Sequence, residues 1–160
     1  MQQHIIKEVF DPAKLPINNY SIENESQKYK ACQFELGNVK IISRNAKITP
    51  KKVGQFVTFW KRSTTGLTEP FSESDRFDAY IVNVETKNAM GQFVFPKAVL
   101  IEKGIVASSS KEGKRGFRVY PSWDTPTSKQ AIGTQQWQLN YFFKLYEENW
   151  KRRVKALYHL

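Results

Sequence analysis

The sequence has very few of the residues from which thiol and zinc enzymes build their sites. It contains one cysteine, Cys32, and two histidines, His4 and His159, near opposite ends of the chain. One cysteine cannot form an internal disulfide, and with two distant histidines it does not supply the ligands of a zinc site. We therefore predict that Cys32 is a small core residue, alternating with Phe34 and Leu36, in a reducing, cytoplasmic protein.

Long apolar stretches and common enzyme motifs are also missing. The opening string MQQHIIKEVF lacks the cationic start and apolar run of a signal peptide, and no later window approaches the ~20 apolar residues that span a bilayer. The phosphate-binding patterns G-x-x-x-x-G-K-S/T and G-x-G-x-x-G and the zinc pattern H-E-x-x-H are absent. We therefore expect a protein that is neither exported nor embedded in a membrane, and that belongs to none of those enzyme classes.

Acidic residues are absent from one long part of the chain. Residues 37–68 hold seven basic and no acidic side chains, and residues 90–160 hold twelve basic and five acidic ones. Residues 69–89, between them, carry a net charge of −3. The formal charge of +10 therefore comes from two stretches, which favours either an anionic partner or a surface of solvated charges.

The size and composition are those of a folded protein. At 160 residues the chain fits one domain, residues 1–160, that buries roughly two thirds of the surface its unfolded form exposes. The aromatic fraction of 14% is high, so we expect a compact fold with an aromatic-rich core. The sequence does not indicate an oligomeric state.

Apolar periodicity predicts several elements in the first part of the chain. Residues 5–10 have helical spacing and indicate a short helix. The strings ACQFEL and VKIISR, joined by a Gly-Asn link, predict a β-hairpin over residues 31–44, and GQFVTFWKR predicts a further strand. Thr49 followed by Pro50 is typical of an N-cap and first helical position, and predicts a brief turn that ends at Gly54.

The remaining segments predict a second hairpin and more helix. Residues 63–74 read as a surface loop, and FDAYIVNVE with GQFVFPK predicts a hairpin over residues 77–97. KAVLIEK, followed by Gly104, indicates a short helix, and FRVYP a strand. Apolar positions between residues 132 and 157 predict one long helix or two joined helices.

Four strings carry a family resemblance: AKITPKKVGQFVTFWKR, GQFVFPKAVL, GKRGFRVYPSWD and TQQWQ. Together and in this order they resemble the MepB family over about residues 30–143. The resemblance implies a bacterial, intracellular protein with an α/β fold similar to restriction endonucleases, in which helices flank a mixed central sheet on both sides. That scaffold commonly handles nucleic acid, but membership implies the fold more strongly than an activity.

Active nucleases of that architecture carry an Asp on one strand and a D/E-x-K on the next. Alternate residues of a strand share a face, so the second acid and the lysine converge on one phosphate beside the metal ion. Asp78 is the candidate metal ligand and Lys97 the candidate catalytic lysine, although Asp78 also fits a structural cap. The position two before Lys97 is Phe95, which cannot ligate a cation. Gln92 could replace the missing acid only as an uncharged side chain at another register, and Glu85 only by reaching in from the preceding strand.

The residues suited to a polyanion combine cations, aromatic rings and glycines. Arginine makes bidentate contacts with phosphate, and a flat ring stacks on a base or sugar. In FRVY we expect Arg118 and Tyr120 to face outward, opposite the core residues Phe117 and Val119. The other candidate contacts are Lys47, Lys51, Lys52, Lys61, Arg62, Lys97, Lys114, Arg115 and Trp123. The alternative for Arg115 and Arg118 is internal salt bridges with the acidic stretch 69–85, and the alternative for Arg62 and the loop lysines is simple solvation.

These patterns leave three functions open. We expect a nucleic-acid-binding protein on a nuclease-like scaffold, with DNA preferred over RNA, no cofactor, no membrane partner and no efficient catalysis. The first alternative is a metal-dependent nuclease that uses Mg²⁺ at a divergent site around Asp78 and Lys97. The second is a regulatory or adaptor protein that binds another protein or a small anion. The first function requires that basic side chains from distant parts of the chain meet in one groove.

Overall fold

The computed structural model describes residues 3–159. Helix α1 (Gln3–Ile5) continues as a π-helix over Ile6–Phe10, and the other helices are α2 (Lys97–Glu102), α3 (Lys129–Gln138) and α4 (Trp150–Tyr158). The strands are β1 (Asn18–Ile22), β2 (Cys32–Leu36), β3 (Val39–Asn45), β4 (Lys47–Thr49), β5 (Lys52–Thr58), β6 (Trp60–Arg62), β7 (Thr68–Pro70), β8 (Ala79–Glu85), β9 (Met90–Pro96), β10 (Gly116–Val119) and β11 (Phe142–Lys144). Within residues 3–159, no helix has the length and apolar character needed to cross a membrane.

Six strands form a mixed central sheet in the order β1-β2-β3-β8-β9-β11. Strands β3 and β8 run parallel, and the other neighbours are antiparallel. A parallel pair needs a crossover connection, and here residues 46–78 supply it and contain strands β4 to β7. The predicted α/β class with a mixed central sheet is confirmed, as are the hairpins β2-β3 and β8-β9.

Two apolar clusters cover the two faces of this sheet. On one face, the helical segment 3–10 and α4 pack through residues such as Val9, Phe10 and Val154. On the other face, the ring of Phe59 in the crossover stacks on Tyr80 of β8, with centroids 4.0 Å apart. Strands β8 and β9 are buried on both faces, which explains why their sequences are almost continuously apolar. The helical spacing predicted for residues 5–10 is confirmed.

A three-stranded sheet in the order β10-β5-β4 covers the second face. The helical turn predicted after Thr49 is wrong, because β4 pairs antiparallel with β5 and the two form a hairpin around Pro50. Local cap chemistry was outweighed by the pairing of two β-rich segments. The predicted loop 63–74 contains a short strand, because β7 lies within it and pairs with β6.

The prediction of one long helix or two joined helices over residues 132–157 is wrong in the middle of the segment, where a strand separates two helices. Helix α3 ends at Gln138, and after a 3₁₀ turn β11 pairs with β9 at the edge of the central sheet, with Phe142 opposite Phe93. A run such as Tyr-Phe-Phe has no helix-specific period, so the open sheet edge decides its conformation. Helix α4 then begins after Asn149, a residue in the left-handed region.

Candidate functional site

The outer face of the three-stranded sheet presents cations and aromatic rings side by side. Arg118 of β10 lies directly opposite Phe56 of β5, and Phe56 lies opposite Lys47 of β4. Directly opposed residues of neighbouring strands share a face, so these three side chains form one row across the sheet. The alternation predicted for β10 is confirmed, because Phe117 and Val119 are buried whereas Arg118 is not.

Two glycines make room for aromatic rings on this face. At Gly54, a β-carbon would stand 2.7 Å from the ring of Tyr120, and at Gly116 one would stand 2.6 Å from the ring of Phe56. Side chains at these positions would therefore displace the rings. Gly54 also has a φ of +83°, which favours glycine. The sheet thus carries two partly exposed rings, one on each side of Arg118.

Arg118 is held in place by neutral hydrogen-bond acceptors and not by a carboxylate among the described residues. Its guanidinium donates to the carbonyl oxygen of Val53 (3.2 Å) and to the hydroxyl of Thr49, both in the β4-β5 hairpin. A guanidinium has five N–H donors, so three remain after these bonds. No carboxylate among residues 3–159 pairs with Arg118, so its positive charge is not compensated by an ion pair with these residues.

A cleft of about 320 Å³ lies between β10 and α3. Its walls include three basic side chains, Lys103, Lys114 and Arg118, and no acidic residue is among those that line it in the described chain. Tyr120 and Trp137 add aromatic surface. The cleft therefore combines the two kinds of group that polyanion binding uses, cations and rings.

The two lysines of this cleft reach it from a short folded loop. The ammonium of Lys103 lies 5.3 Å from the centre of the Trp137 ring and 4.0 Å from the exposed carboxylate of Glu102. Lys114 is held by its backbone, which donates to the carbonyl of Ile105 at 2.9 Å. Its ammonium makes no hydrogen bond or ion pair with residues 3–159. The pair with Glu102 is long and exposed, so it compensates little of the charge.

The N-terminus of α3 also borders the cleft. Ser128 is the N-cap, and its hydroxyl accepts from the backbone N–H of Ala131 at 3.1 Å. Ser128, Gln130 and Ala131 all line the cleft. A helix N-terminus adds partial positive charge and backbone donors, so it strengthens the field of the basic side chains.

The β4-β5 hairpin extends the basic surface beyond the row of Arg118. Lys47, Lys51 and Lys52 are exposed on it, and the ammonium of Lys47 lies 4.9 Å from the centre of the Tyr29 ring. We call the set formed by the hairpin lysines and the cations of the cleft the basic face. Its members are Lys47, Lys51, Lys52, Lys103, Lys114 and Arg118.

Two predicted contacts are instead engaged with acidic residues of the protein. The ammonium of Lys61 lies 2.7 Å from Asp75 and 3.4 Å from Glu69. Desolvation alone would lower the pKa of Lys61, but the hydrogen bonds and charges of Asp75 and Glu69 together outweigh it and the pKa is raised. Arg62 pairs with Glu25 at 3.3 Å. Internal salt bridges were the alternative for Arg115 and Arg118, but neither pairs with a carboxylate of residues 3–159, and the ion pairs lie instead at Lys61 and Arg62.

Three further predicted contacts lie outside the cleft. Arg115 donates to the carbonyl oxygen of Thr68 through two nitrogens, at 3.1 and 3.3 Å. The ammonium of Lys97 donates to the carbonyl oxygens of residues 73 and 75, at 2.8 and 2.5 Å. Trp123 packs edge-on against Phe142 with centroids 5.8 Å apart, and its buried indole N–H has no partner among the described residues. The structure therefore shows Trp123 in a packing contact with the core.

Asp78 and Lys97 are neighbours through their backbones, since the Lys97 N–H donates to the Asp78 carbonyl at 3.0 Å. Their side chains have different partners. The Asp78 carboxylate accepts from the backbone N–H of Lys40 at 2.8 Å, as a structural cap would. Among residues 3–159 no cluster of three or more His, Cys, Asp or Glu side chains is placed to hold a metal ion.

Of the two substitutes considered for the missing acid, Glu85 is partly exposed with its carboxylate 2.8 Å from the His4 ring nitrogen, and Gln92 belongs to a buried polar network. Gln92 donates to the side-chain oxygen of Asn83 at 2.7 Å and accepts from the hydroxyl of Tyr158 at 2.7 Å. Asn83 in turn donates to Ser43 at 3.1 Å. Burial raises the pKa of Tyr158, so its hydroxyl stays protonated as the donor of this network. The network joins α4 to the sheet and has no route to solvent through Gln92, which is fully buried.

Sequence reasoning missed two residues that matter to this surface, Lys103 and Phe56, and misread a third residue elsewhere, Arg44. Lys103 ends a helix and Phe56 alternates in a strand, so each reads as an ordinary member of its element. Arg44, which is fully buried, was read as part of a basic stretch, and the apolar run VKII before it was the signal for burial.

The fold and this surface define a basic α/β protein in which a small, ring-bearing sheet covers one face of a mixed central sheet. A family model described as MepB-like matches residues 23–144, and the chain belongs to that family. The chain is also similar to a solved structure titled "Crystal Structure of MepB", with 32% identity and a TM-score of 0.83 over 92% of this chain and 100% of that one. Comparison with curated proteins finds no match.

Proposed function

We propose that the protein binds nucleic acid, with little preference for sequence, across the outer face of the β10-β5-β4 sheet and the cleft beside α3. The observation that carries this proposal is the meeting of Lys103, Lys114 and Arg118 in one cleft that no acidic residue lines in the described chain. These three residues lie in or beside one loop, but they join the lysines of a hairpin about 60 residues earlier in the sequence.

The chemistry of the basic face suits a sugar-phosphate backbone with unpaired or distorted bases. Arg118 has three unused donors for phosphate oxygens, and the lysines supply point charges along the sheet. The ring of Tyr120 lies against Gly54, and the ring of Phe56 lies against Gly116 and edge-on to Tyr29. Both rings are partly exposed, so each can contact a base or sugar. None of these groups reads base edges in a fixed pattern, so the contacts favour affinity over sequence specificity.

Family membership supports this proposal only through the scaffold. A restriction-endonuclease-like architecture would place a nucleic-acid surface beside the mixed sheet, and the basic face covers one side of that sheet. We propose DNA as the partner in preference to RNA on the same ground. Catalysis is not part of the proposal, because Asp78 caps Lys40 and Phe95 occupies the position of a second acid.

A salt titration of oligonucleotide binding tests the proposal. If the six cations of the basic face each contact a phosphate, the logarithm of the affinity should fall with the logarithm of salt concentration with a slope of about −5 for duplex or about −4 for single strands. Between 50 and 200 mM salt, the affinity should therefore fall by roughly a factor of 300 to 2,000. Failure to bind any oligonucleotide at low salt would refute the proposal.

Matched variants locate the binding surface. Arg118→Gln and Lys114→Gln should each weaken binding to all sequences and reduce the magnitude of the slope by about 1. Lys7→Gln removes the same charge from the helical segment on the opposite face of the central sheet, and should leave both quantities unchanged. Equal effects of all three variants would show that only the net charge matters. Co-purification of a stoichiometric protein partner without nucleic acid would favour the adaptor function instead.

A further inference from the structure

The cleft differs from the rest of the basic face in its shape. On the hairpin, Lys47 lies on β4 and Lys51 and Lys52 lie at the turn into β5, and all three are exposed on an open surface. In the cleft, Lys103 and Lys114 stand with Arg118 around a space of about 320 Å³. Cations on an open surface suit the singly charged phosphates of a continuous backbone, whereas cations around one concave space suit a single group with more than one negative charge.

We propose, on the basis of the function proposed above, that this cleft binds the terminal phosphate of a nucleic-acid strand. A terminal phosphomonoester carries a charge of about −1.5 to −2 at neutral pH and has three acceptor oxygens, whereas an internal phosphodiester carries −1. The cleft offers three cationic side chains for such a group, and the residues that line it in the described chain include no carboxylate. Its charge and number of donors therefore match a chain end better than an internal phosphate.

The loop that carries the lysines is held by its own backbone bonds. The Lys114 N–H donates to the Ile105 carbonyl, and the Ala107 N–H donates to the Phe71 carbonyl at 2.8 Å. Gly104, with a φ of +70°, makes the turn directly after Lys103. The ammonium of Lys103 is further placed by the Trp137 ring, 5.3 Å away. A prearranged pair of cations loses little conformational entropy when the anion binds.

Helix α3 supplies neutral donors on the other wall. The hydroxyl of its N-cap, Ser128, accepts from the Ala131 N–H. The backbone N–H groups of residues 129 and 130 have no acceptor within the helix and point toward its N-terminus, which borders the cleft. Thr134 also lines the cleft, but its hydroxyl is engaged with the Gln130 carbonyl at 3.0 Å. The helix terminus therefore adds to the cations and does not by itself make the site.

The position of the cleft also fits the end of a strand. Tyr120 and Arg118 lie both at the cleft and on the outer face of the sheet, where Phe56 and Lys47 continue the row toward the hairpin. A strand whose terminal phosphate sits between Lys103 and Lys114 can therefore run over Arg118 and the two rings. The volume is at the lower end of the ~300–1,000 Å³ typical of small-molecule sites, which suits one nucleotide.

The test compares oligonucleotides of one sequence that differ only at their ends. The probes are a 12-mer with two hydroxyl ends, the same 12-mer with a 5′-phosphate, the same with a 3′-phosphate, and a 13-mer with hydroxyl ends. The 13-mer has as many phosphates as the end-phosphorylated 12-mers, so it controls for added charge. We expect one of the two end-phosphorylated 12-mers to bind about tenfold more tightly than the 13-mer. A tenfold difference is the effect of about one additional charge-assisted hydrogen bond.

Variants then assign the preference to the cleft. Lys103→Gln with Lys114→Gln should abolish the preference for the phosphorylated end and weaken the hydroxyl-ended probe much less. Lys7→Gln should keep the preference. Equal binding of all four probes by the unmodified protein would overturn this inference and leave the proposed function intact. A preference that survives the double variant would also overturn it, and absence of all binding would refute the proposed function itself.

Discussion

A fully buried arginine offers the sharpest test of how the fold is held together. Arg44 on β3 has no exposed surface, and its guanidinium donates to Glu23 at 2.9 Å and to the carbonyl oxygens of Thr58 and Trp60, both at 2.9 Å. These bonds tie the central sheet to the crossover and to the segment before β2. The Glu23 side chain is 12% exposed, so only one member of the pair has access to water.

Replacing Glu23 with alanine leaves the Arg44 charge buried and compensated only by carbonyl dipoles. Breaking one partner of a buried pair typically costs about 3–5 kcal/mol. The residual exposure beside Glu23 lets water reach the guanidinium side of the pair, so we expect the lower end, about 3 kcal/mol. With a folding stability of about 5–15 kcal/mol, this is a large fraction of the total.

Urea denaturation followed by circular dichroism measures this cost. With a denaturant slope of about 2 kcal/mol per molar, the midpoint should fall by about 1.5 M. Glu25→Ala is the matched control, because it removes the same carboxylate from the exposed pair with Arg62 and should cost less than about 1 kcal/mol. A loss at Glu23→Ala no larger than that of the control would refute the argument that burial makes this pair important.

The double variant Glu23→Ala with Arg44→Met separates the charge from the packing. Methionine is apolar and flexible, so it fills most of the space without leaving an uncompensated charge. Thr58 keeps a partner for its carbonyl, because the Tyr80 hydroxyl donates to it at 2.9 Å, whereas the Trp60 carbonyl loses its bond to Arg44. We therefore expect the double variant to be more stable than Glu23→Ala alone.

Three further predictions concern the binding surface, the buried network and catalysis. Gly54→Ala should destabilise the protein by about 1–2 kcal/mol in thermal unfolding and weaken oligonucleotide binding, because it imposes a left-handed alanine and displaces the Tyr120 ring. Tyr158→Phe should cost about 1–2 kcal/mol in urea denaturation, since it leaves the buried Gln92 oxygen without its donor. Supercoiled DNA incubated with Mg²⁺ or Mn²⁺ should stay uncut; cleavage that disappears in Asp78→Ala would support the nuclease alternative, and cleavage that persists would indicate a contaminant.

Short-range patterns predicted two kinds of element. One kind has an apolar side and a polar side, and the other is apolar on both sides. The hairpins β2-β3 and β8-β9 and the helix α2 follow from period, turn residues and caps in their own segments. The outward position of Arg118 follows in the same way, from strict alternation with Phe117 and Val119. In each case the information lies within about ten residues, which is the range over which periodicity can be read.

Elements that exist because of a distant partner were not predicted. Strand β11 forms because Phe142 and Phe143 meet the open edge of β9, about 50 residues earlier in the chain. Strand β4 was missed for a different reason, because its partner β5 follows it directly in the chain and the cap residues Thr49 and Pro50 favoured a helical turn. In both cases pairing into a sheet outweighs local preference.

The amino-acid sequence alone determined the α/β class, the family, the excess of positive charge and the residue types that contact polyanions. Only the tertiary structure decided which cations act together. It brought Lys103 and Lys114 to Arg118, placed Lys61 against Asp75, and buried Arg44 beside Glu23. The physical reason is that the partner of a charged side chain is set by distances of a few ångströms between segments far apart in the chain, because Coulomb energy and desolvation depend on position and not on sequence order.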